Sequence, residues 1–293
     1  MAQHSPFFRI HVAQIAPSLG DLEANRDLHL EQIAAARREH CDLIVFPELS
    51  LTGYWLRDLV AEVALVPETA PLLAPLKQAS RDIDIVLGLV EAGADGRSYN
   101  SAIWLSGGRV LWRHRKIYLP TYTLFDEGRD FAAGDRVAAF DSSFGRTGLL
   151  VCEDLWHPAL AYLLALEGGD LLVTISSSPA RGIGDTHLES EAAWRLFART
   201  TARSHTQFVA YVGRVGVEDG HTFAGGSRVY APDGRLLAEL PALKEASATV
   251  ELDRRDLRRA RIISPLRRDE RPDLVHRELG RILKARTGTD RPE

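Results

Sequence analysis

Two cysteines occur in the chain, and one of them stands where a catalytic nucleophile is expected. Cys152 follows an apolar run at 148–151 that predicts a buried strand, and a helix is predicted from about 158 to 167. A thiol in such a turn lies near a helix N-terminus, whose positive dipole lowers the thiol pKa and whose N–H groups can bind an oxyanion. We therefore expect Cys152 to act as a nucleophile. Free cysteines are more often small buried hydrophobes, and this is our prediction for Cys41.

Glu48 is the candidate general base. The apolar run 43–46 predicts a buried strand, which ends at Pro47 because proline cannot continue a central ladder. Glu48 then lies at the carboxyl end of the strand, where α/β folds place reactive groups. Taken alone, the pattern is equally that of a strand-end glutamate facing water, so this prediction depends on the other two segments.

Lys116 is the candidate cationic partner. It follows the basic run 113–115 and precedes an apolar segment, 117–119. Most basic runs are solvated surface, but a lysine beside apolar residues is expected to be partly desolvated, and a desolvated ammonium needs carboxylate partners. A protonated, paired lysine cannot act as a base. Its predicted role is electrostatic, since with the backbone N–H of Glu153 it would hold a developing oxyanion.

Competing chemistries have weaker support. His157 lies only five positions after Cys152, which is poor geometry for a thiol–imidazole pair. The histidines show no HxH or HExxH spacing and the cysteines have no paired spacing, so we expect no metal site, no disulfide and no cofactor. Ser178 and Arg181 follow a predicted strand. They belong either to a polar loop or to a site for a substrate carboxylate, which arginine can bind in a bidentate manner.

Strands and helices alternate along the chain. Asp21 is predicted to cap a helix with Leu30, Ile33 and Ala34 on one face, and another helix is predicted over 186–204. Hairpin signals at 106–108 and 232–234 indicate mixed sheets. So many strands would split one sheet, so we predict an α/β fold with two mixed sheets. The predicted strands are 8–15, 42–46, 83–90, 98–105, 109–116, 147–151, 171–175, 208–212, 226–230, 236–239 and 246–251.

Composition excludes several classes of protein. The 293 residues are 45% hydrophobic and 26% charged, as in ordinary globular proteins. The net charge of −4 offers no basic field for nucleic acid or an anionic membrane. The N-terminus lacks a leader pattern and no apolar run is long enough to cross a membrane, so we expect a cytoplasmic protein. We predict a single domain, 1–293, in which 253–293 is a charged C-terminal segment.

The three segments together resemble a known signature. Pro47-Glu48-Leu49, Arg115-Lys116 and Cys152-Glu153-Asp154 look like the base, lysine and nucleophile motifs of the nitrilase (carbon–nitrogen hydrolase) superfamily. More narrowly, the chain is similar to the glutaminase domain of glutamine-dependent NAD synthetases. That similarity extends over roughly 9–252 and is carried by the segments 47–54, 118–122, 125–127, 152–156 and 223–227.

The resemblance implies a fold, a triad and a pocket. The fold is a four-layer α-β-β-α sandwich, and the triad is Glu48, Lys116 and Cys152. A second carboxylate, Glu127, would brace Lys116 or bind a substrate ammonium, and Tyr54 and Tyr122 would line the pocket. The expected activity is hydrolysis of a small amide, glutamine-like or an ω-amide, through a cysteine thioester. Nitrile hydrolysis is a less favoured alternative.

One departure from the synthetases changes the expected function. The sequence printed here ends at Glu293 with no SGGxDS-like phosphate loop, so NAD synthesis by this chain is not expected. Two readings stay open: a stand-alone amidase, or a glutaminase subunit that supplies ammonia to a separate synthetase partner. A third reading, an inactive fold used for binding, is disfavoured by the intact triad.

The resemblance also implies a homodimer or a higher homo-oligomer formed through helices. The predicted helix at 186–204 carries Trp194 and Phe197 with three arginines, and such side chains are enriched in interfaces. The predicted helix near 158–167 offers a second apolar face. The alternative is that the aromatic face is buried within its own subunit.

Overall fold

The structure is a computed structural model and describes residues 5–182 and 188–287. Its strands are β1 (Phe7–Gln14), β2 (Leu43–Val45), β3 (Asp84–Ala92), β4 (Ser98–Ser106), β5 (Arg109–Arg115), β6 (Phe140–Asp141), β7 (Arg146–Val151), β8 (Leu171–Ser176), β9 (Phe208–Gly213), β10 (Val215–Glu218), β11 (His221–Ala224), β12 (Arg228–Tyr230), β13 (Leu236–Glu239) and β14 (Ala246–Asp253).

Its α-helices are α1 (Leu22–Arg38), α2 (Val60–Val63), α3 (Ala74–Ala79), α4 (Glu127–Asp130), α5 (Pro158–Leu166), α6 (Glu189–His205), α7 (Arg255–Ile263), α8 (Leu266–Asp269) and α9 (Pro272–Thr287). Short 3₁₀ segments lie at Arg57–Leu59, Pro71–Leu73 and Cys152–Trp156.

The strands form two large sheets and one hairpin. Sheet A has the order β14-β1-β2-β3-β4-β5, sheet B the order β13-β12-β9-β8-β7-β6, and β10 pairs with β11 alone. The β1–β2–β3 and β7–β8–β9 ladders are parallel, and the remaining pairs are antiparallel. The predicted mixed sheets are therefore confirmed. All the predicted strands are present, whereas β6, β10 and β11 were not predicted.

The sheets face each other and carry helices on their outer faces. Between them, the Trp104 ring of sheet A contacts Phe140 of sheet B edge to face, with centroids 5.3 Å apart. Outside sheet A, Ile33 of α1 and Leu76 of α3 join a second apolar core. Outside sheet B, α5 and α6 cover the strands. These layers confirm the predicted α-β-β-α sandwich, whose two cores bury most of the apolar surface that drives folding.

Helix α1 begins where the sequence predicts and buries a different face. The Asp21 carboxylate accepts the Ala24 N–H at 3.0 Å, as an N-cap does. The buried side chains include Asn25 and His29, while Ala34 is exposed, so the predicted apolar face is wrong in part. The polar pair can be buried because its hydrogen bonds are made: Asn25 Nδ2 donates to the Leu51 carbonyl, and His29 Nε2 meets Ser50 Oγ at 2.9 Å. Helix α1 therefore anchors the segment just after Glu48.

Helix α6 keeps its aromatic side chains inside the subunit. Trp194 stacks on Tyr211 of β9 at 4.6 Å, and Phe197 packs on Trp156 at 4.7 Å. Trp194 is therefore buried within its own subunit, as the alternative expects, whereas Phe197 is only half-buried. An interface between subunits at this helix stays a prediction. The predicted start of this helix at Thr186 lies outside the described residues.

The C-terminal segment is helical over most of its length. Arg261 of α7 donates to Asp170 at 2.5 Å, and Arg267 of α8 donates to the His205 carbonyl at 2.7 Å. These contacts hold α7 and α8 against sheet B and the end of α6, whereas α9 is largely exposed. Among 5–182 and 188–287, no helix is long and apolar enough to cross a membrane.

Candidate active site

Glu48 lies in the tight turn after β2 and is fully buried. Its Oε1 accepts hydrogen bonds from Asn100 Nδ2 and Lys116 Nζ, both at 2.8 Å, and its Oε2 accepts the Ser177 N–H at 2.6 Å. Gly88 of β3 makes room for the turn, because a Cβ there would stand 2.2 Å from the Leu49 nitrogen. The Glu48 side chain is thus held from both sheets.

Strand alternation explains how a basic run delivers one buried lysine. Along β5 the side chains alternate between the two faces of sheet A. Arg113 and Arg115 both donate to Glu91 on one face. His114 and Lys116 turn to the other face, into the space between the sheets. The expectation of a desolvated lysine therefore agrees with the burial of Lys116, while its neighbours have carboxylate partners of their own.

The Lys116 ammonium lies between two carboxylates. Its Nζ donates to Glu48 Oε1 at 2.8 Å and to Glu127 Oε1 at 2.6 Å, and none of the three side chains is exposed by more than 5%. Burial alone would lower the pKa of Lys116, but the charges of Glu127 and Glu48 raise this pKa well above its ordinary value. Lys116 is therefore an ammonium at neutral pH.

Glu127 also accepts the Tyr54 hydroxyl on Oε1 at 2.5 Å. Its Oε2 is buried and has no hydrogen-bond partner within the described part of the chain. Burial raises the pKa of Glu127, and the nearby Glu48 charge acts in the same direction, against the opposing effect of Lys116. One oxygen of this carboxyl group is thus left to meet an outside donor.

Cys152 directly follows β7 and has a left-handed φ of 47°, the kind of backbone strain that active sites retain. Ser176 Oγ donates to its Sγ at 3.3 Å. Burial and the Glu48 charge raise the pKa of Cys152 well above its ordinary value, with Lys116 opposing. The predicted lowering of this pKa by a helix N-terminus is therefore wrong. The turn is a five-residue 3₁₀ segment, α5 begins only at Pro158, and burial dominates.

Asp154 joins the 3₁₀ turn that begins at Cys152 to the segment that follows β5. Its Oδ1 accepts the N–H groups of Ile117 and Tyr118 at 3.0 and 2.9 Å, and its Oδ2 accepts His114 Nε2 at 2.8 Å and the Val151 N–H at 3.2 Å. Asp154 is part of the Cys152-Glu153-Asp154 motif, but the sequence predicts no role for it. Its partners are mostly backbone groups of a distant segment, so the sequence carried no signal for them. The supports from Asn100, Ser176 and Ser177 were missed for the same reason.

The remaining candidates gather around the loop at 122–125. Tyr122, 45% exposed, donates its hydroxyl to the Glu153 carboxylate at 2.9 Å, and burial together with this bond raises the pKa of Tyr122 to about 12. Arg181 lies over the Phe125 ring at 5.0 Å and donates to Thr123 Oγ1 at 3.0 Å.

Ser178 and His157 are held by contacts of their own. The Ser178 carbonyl accepts the Ala224 N–H at 3.0 Å, which joins the loop after β8 to β11. His157 stacks on Tyr118, with ring centroids 3.3 Å apart, and its Nε2 lies 4.0 Å from the Glu153 carboxylate. This stacking gives the His157 ring a packing partner.

Comparison with known proteins decides the family. The sequence profile of the carbon–nitrogen hydrolase family matches residues 9–262. This chain belongs to that family. It is similar to the glutamine-dependent NAD(+) synthetase of Thermotoga maritima, 31% identical over 264 residues that cover 89% of the chain and 44% of the relative. It is also similar to an (R)-stereoselective amidase of Pseudomonas sp., 33% identical over 257 residues that cover 86% of the chain and 88% of the relative.

Solved structures of the same two kinds of enzyme have a similar fold. The glutamine-dependent NAD+ synthetase of Acinetobacter baumannii superposes with a TM-score of 0.76 at 30% identity, over 86% of this chain and 46% of that one. An amidase of Nesterenkonia AN1 from the nitrilase superfamily gives 0.76 at 25% identity, over 93% and 97%. The chain therefore spans less than half of the synthetases that it matches and nearly all of the amidase. The predicted resemblance is confirmed.

A cavity of about 520 Å³ opens beside Glu127 in this hydrolase. Tyr54 and Trp55 form part of its wall, and the Glu218 carboxylate holds their backbone in place. Glu218 Oε1 accepts the backbone N–H groups of Tyr54 and Trp55 at 2.7 and 2.5 Å, and its Oε2 accepts Arg214 Nη1 at 2.5 Å. Glu218 is the last residue of β10, which pairs with β11, and neither of these short strands was predicted. The cavity also has charged lining residues, namely Arg57, Asp58, Asp126, Arg129 and Asp130.

Proposed function

We propose that this carbon–nitrogen hydrolase cleaves the C–N bond of a small amide, with Cys152 as nucleophile, Glu48 as general base and Lys116 as electrostatic partner. The observation that carries the proposal is the fully buried Lys116 ammonium, held by Glu48 and Glu127 beside a strained cysteine. Burying an ammonium and two carboxylates is costly, and such clusters concentrate at functional sites.

The neutral thiol of Cys152 requires a base in the acylation step. Glu48 accepts the thiol proton as Sγ bonds to the amide carbon and the carbonyl electron pair moves to oxygen. The Lys116 ammonium and the Glu153 N–H, at the start of the 3₁₀ turn, hold that oxyanion. When the carbonyl re-forms, the C–N bond breaks, Glu48 gives its proton to nitrogen, and ammonia leaves a thioester.

Deacylation uses the same residues with water as the nucleophile. Glu48 accepts a proton from water as its oxygen attacks the thioester carbon, and the oxyanion is held as before. Collapse breaks the C–S bond, the sulfur recovers a proton from Glu48, and a carboxylic acid is released. Lys116 keeps its proton throughout, because both of its carboxylate neighbours favour the ammonium.

The substrate of this proposal is a polar amide of the glutamine or ω-amide class. The NAD synthetase relatives are glutamine-dependent by name, and the cavity beside Glu127 has a charged lining. Glu127 Oε2 is placed to accept a substrate N–H or ammonium, and Arg181 and Ser178 are the candidates for a substrate carboxylate. Tyr54, Tyr122 and Glu153 would shape the pocket.

A screen for ammonia release tests the activity and the substrate class. Purified chain is incubated with free amides, ω-amides, carbamoyl compounds and nitriles, and Cys152→Ala serves as the control. We expect release from ω-amides by the wild type alone. Release only from nitriles, or equal release by the control, would refute the proposal.

A second candidate is a glutaminase subunit that delivers ammonia to a synthetase partner. The observation in its favour is that the chain spans only 44% of the Thermotoga relative. In this case the isolated chain should turn over glutamine slowly and accelerate when a synthetase is added. Full turnover by the chain alone favours the stand-alone amidase.

We also propose a homodimer or higher homo-oligomer. Leu163 and Leu166 of α5 and Leu196 of α6 are at least 42% exposed on the outer helical layer, beside α9. Such exposed apolar clusters commonly mark interfaces. Light scattering at micromolar concentration decides: a mass of 32.4 kDa, that of one chain, would exclude the oligomer.

A further inference from the structure

A second cluster of reactive side chains lies on the α1 side of sheet A. The donor atoms of His11, Glu39 and Cys41 all lie within 4.8 Å of one another. The Thr249 hydroxyl is at their centre, 2.9 Å from His11 Nδ1 and 3.3 Å from Cys41 Sγ, and it donates to the Glu39 carboxylate. We propose that this cluster is a binding site for a zinc ion, separate from the catalytic centre.

The fold brings these residues together from three elements. His11 of β1 is the register partner of Thr249 of β14, so their side chains stand side by side on one face of the sheet. Glu39 and Cys41 follow the end of α1 and reach the same point from the connection to β2. Because the donors come from separated segments, the spacing of histidines and cysteines along the chain could not reveal them.

The donor types and their separations suit tetrahedral zinc. Thiolate, imidazole and carboxylate are the ligands that zinc takes, at bond lengths that place neighbouring ligand atoms roughly 3.3–3.8 Å apart. His11 Nδ1 and Glu39 Oε2 are 3.9 Å apart, and Cys41 Sγ and Thr249 Oγ1 are 3.3 Å apart. Small side-chain movements would close the shell, with Thr249 Oγ1 or water as the fourth ligand. Magnesium and calcium, which prefer oxygen ligands, do not fit this set.

The charge of the site favours a divalent cation. A Cys41 thiolate and the Glu39 carboxylate together supply two negative charges, which neutralise one zinc ion. The cluster also adjoins the C-terminal end of α1, a helix of 17 residues whose dipole is negative there. His11 is buried, and a neutral imidazole is the form that binds a metal ion. The Glu39 side chain is 53% exposed and provides a route for the ion.

Zinc binding at this site releases one proton, that of the Cys41 thiol. Without metal, the Thr249 hydroxyl donates to Glu39 and can accept from the Cys41 thiol and from His11. With zinc, the thiol proton leaves to solvent and the imidazole coordinates through Nδ1, with its proton on Nε2. The bound ion would join the last strand of sheet A to β1 and to the end of α1, and so stabilise the closing edge of that sheet.

Cobalt(II) is the spectroscopic probe, used on metal-free, full-length Cys152→Ala, in which Cys41 is the only thiol. We expect a thiolate-to-cobalt charge-transfer band and the strong visible bands of a tetrahedral centre, with a dissociation constant on the order of 1 µM or tighter. Zinc should abolish the bands and raise the melting temperature. Absence of the charge-transfer band would overturn the proposal.

Matched variants in the same background identify the ligands. Cys41→Ser should remove the charge-transfer band and His11→Gln should weaken binding at least tenfold. His40→Asn, which alters an exposed neighbouring histidine, should leave both unchanged. Should a ligand variant fail to fold, calorimetry of zinc binding to Cys152→Ala in two buffers of different ionisation enthalpy still decides. One proton released per zinc supports the site, and none contradicts it.

Discussion

Two buried ion clusters lie on either side of Tyr54, and they differ in how completely their hydrogen bonds are made. Glu218 has every oxygen occupied, by two backbone N–H groups and by Arg214. Glu127 shares one oxygen between Lys116 and Tyr54 and leaves the other without a partner among the described residues. The Arg214–Glu218 pair, which we call the closed cluster, can only hold the chain in place. The group of Glu48, Lys116 and Glu127, which we call the open cluster, can bind a group from outside.

The two clusters also differ in what they contribute to the stability of the fold. A buried ion pair contributes little net free energy of folding even when it is well paired, and losing one partner costs roughly 3–5 kcal/mol. The Arg214–Glu218 pair uses this penalty to fix the Tyr54 backbone. In the Lys116 cluster one Glu127 oxygen has no hydrogen-bond partner among the described residues and is free to bind a ligand. The cluster therefore stabilises the ligand-free protein less. We therefore expect variants of the open cluster to lose rate, with or without a loss of stability, and variants of the closed cluster to lose mainly stability.

The largest effect is expected for Cys152→Ala. Removing the sulfur should lower ammonia release by about 10⁴-fold or more, because no other group can form the thioester. Circular dichroism and the melting temperature should stay close to those of the wild type. A residual rate within tenfold of the wild type would remove Cys152 from the mechanism.

Glu48→Gln tests the base in the open cluster. The amide still accepts from Asn100 but cannot take the thiol proton, so we expect the rate to fall about 10²–10⁴-fold. Deacylation also needs the base, so intact-protein mass spectrometry after incubation with substrate should detect an acylated chain. Wild-type activity in this variant would reject the assignment.

Lys116→Ala is expected to lower both the rate and the stability. Loss of the oxyanion donor should lower kcat about 10²–10³-fold. The two carboxylates would then face each other without a cation, so the free energy of unfolding should fall by about 3–5 kcal/mol at neutral pH. Protonating Glu127 relieves this repulsion, and its pKa is already raised, so the stability deficit should shrink as the pH is lowered. A deficit that grows on acidification would contradict the cluster's charge state.

The smallest effect on rate is expected for Glu218→Gln, in the closed cluster. Glutamine still accepts from the two backbone N–H groups but loses the charge opposite Arg214. We expect a stability loss of about 3–5 kcal/mol, a raised KM and a kcat within tenfold of the wild type. Glu91→Gln is the matched control, since Glu91 is a buried carboxylate paired with Arg113 and Arg115. It should lose stability without the change in KM.

Much of this organisation was predictable from the sequence, and the rest was not, for physical reasons. Long strands and their hairpins were found because periodicity and turn residues are local signals, whereas β6, with two residues, is too short to have a period. The positions of Glu48, Lys116 and Cys152 followed from strand ends and a family signature. The thiol pKa was predicted in the wrong direction because the degree of burial around Cys152 depends on both sheets. The Asp154 contacts and the polar face of α1 likewise depend on distant backbone groups.

The Asp154 carboxylate has a consequence for the way this molecule opens. It accepts hydrogen bonds from the backbone N–H groups of Ile117 and Tyr118, which follow sheet A, and of Val151, which belongs to sheet B. Asp154 follows β7 of sheet B, so sliding the two sheets past each other would break its bonds to Ile117 and Tyr118. We therefore expect the backbone amides of Ile117 and Tyr118 to be protected from exchange with solvent until the two sheets separate at this point.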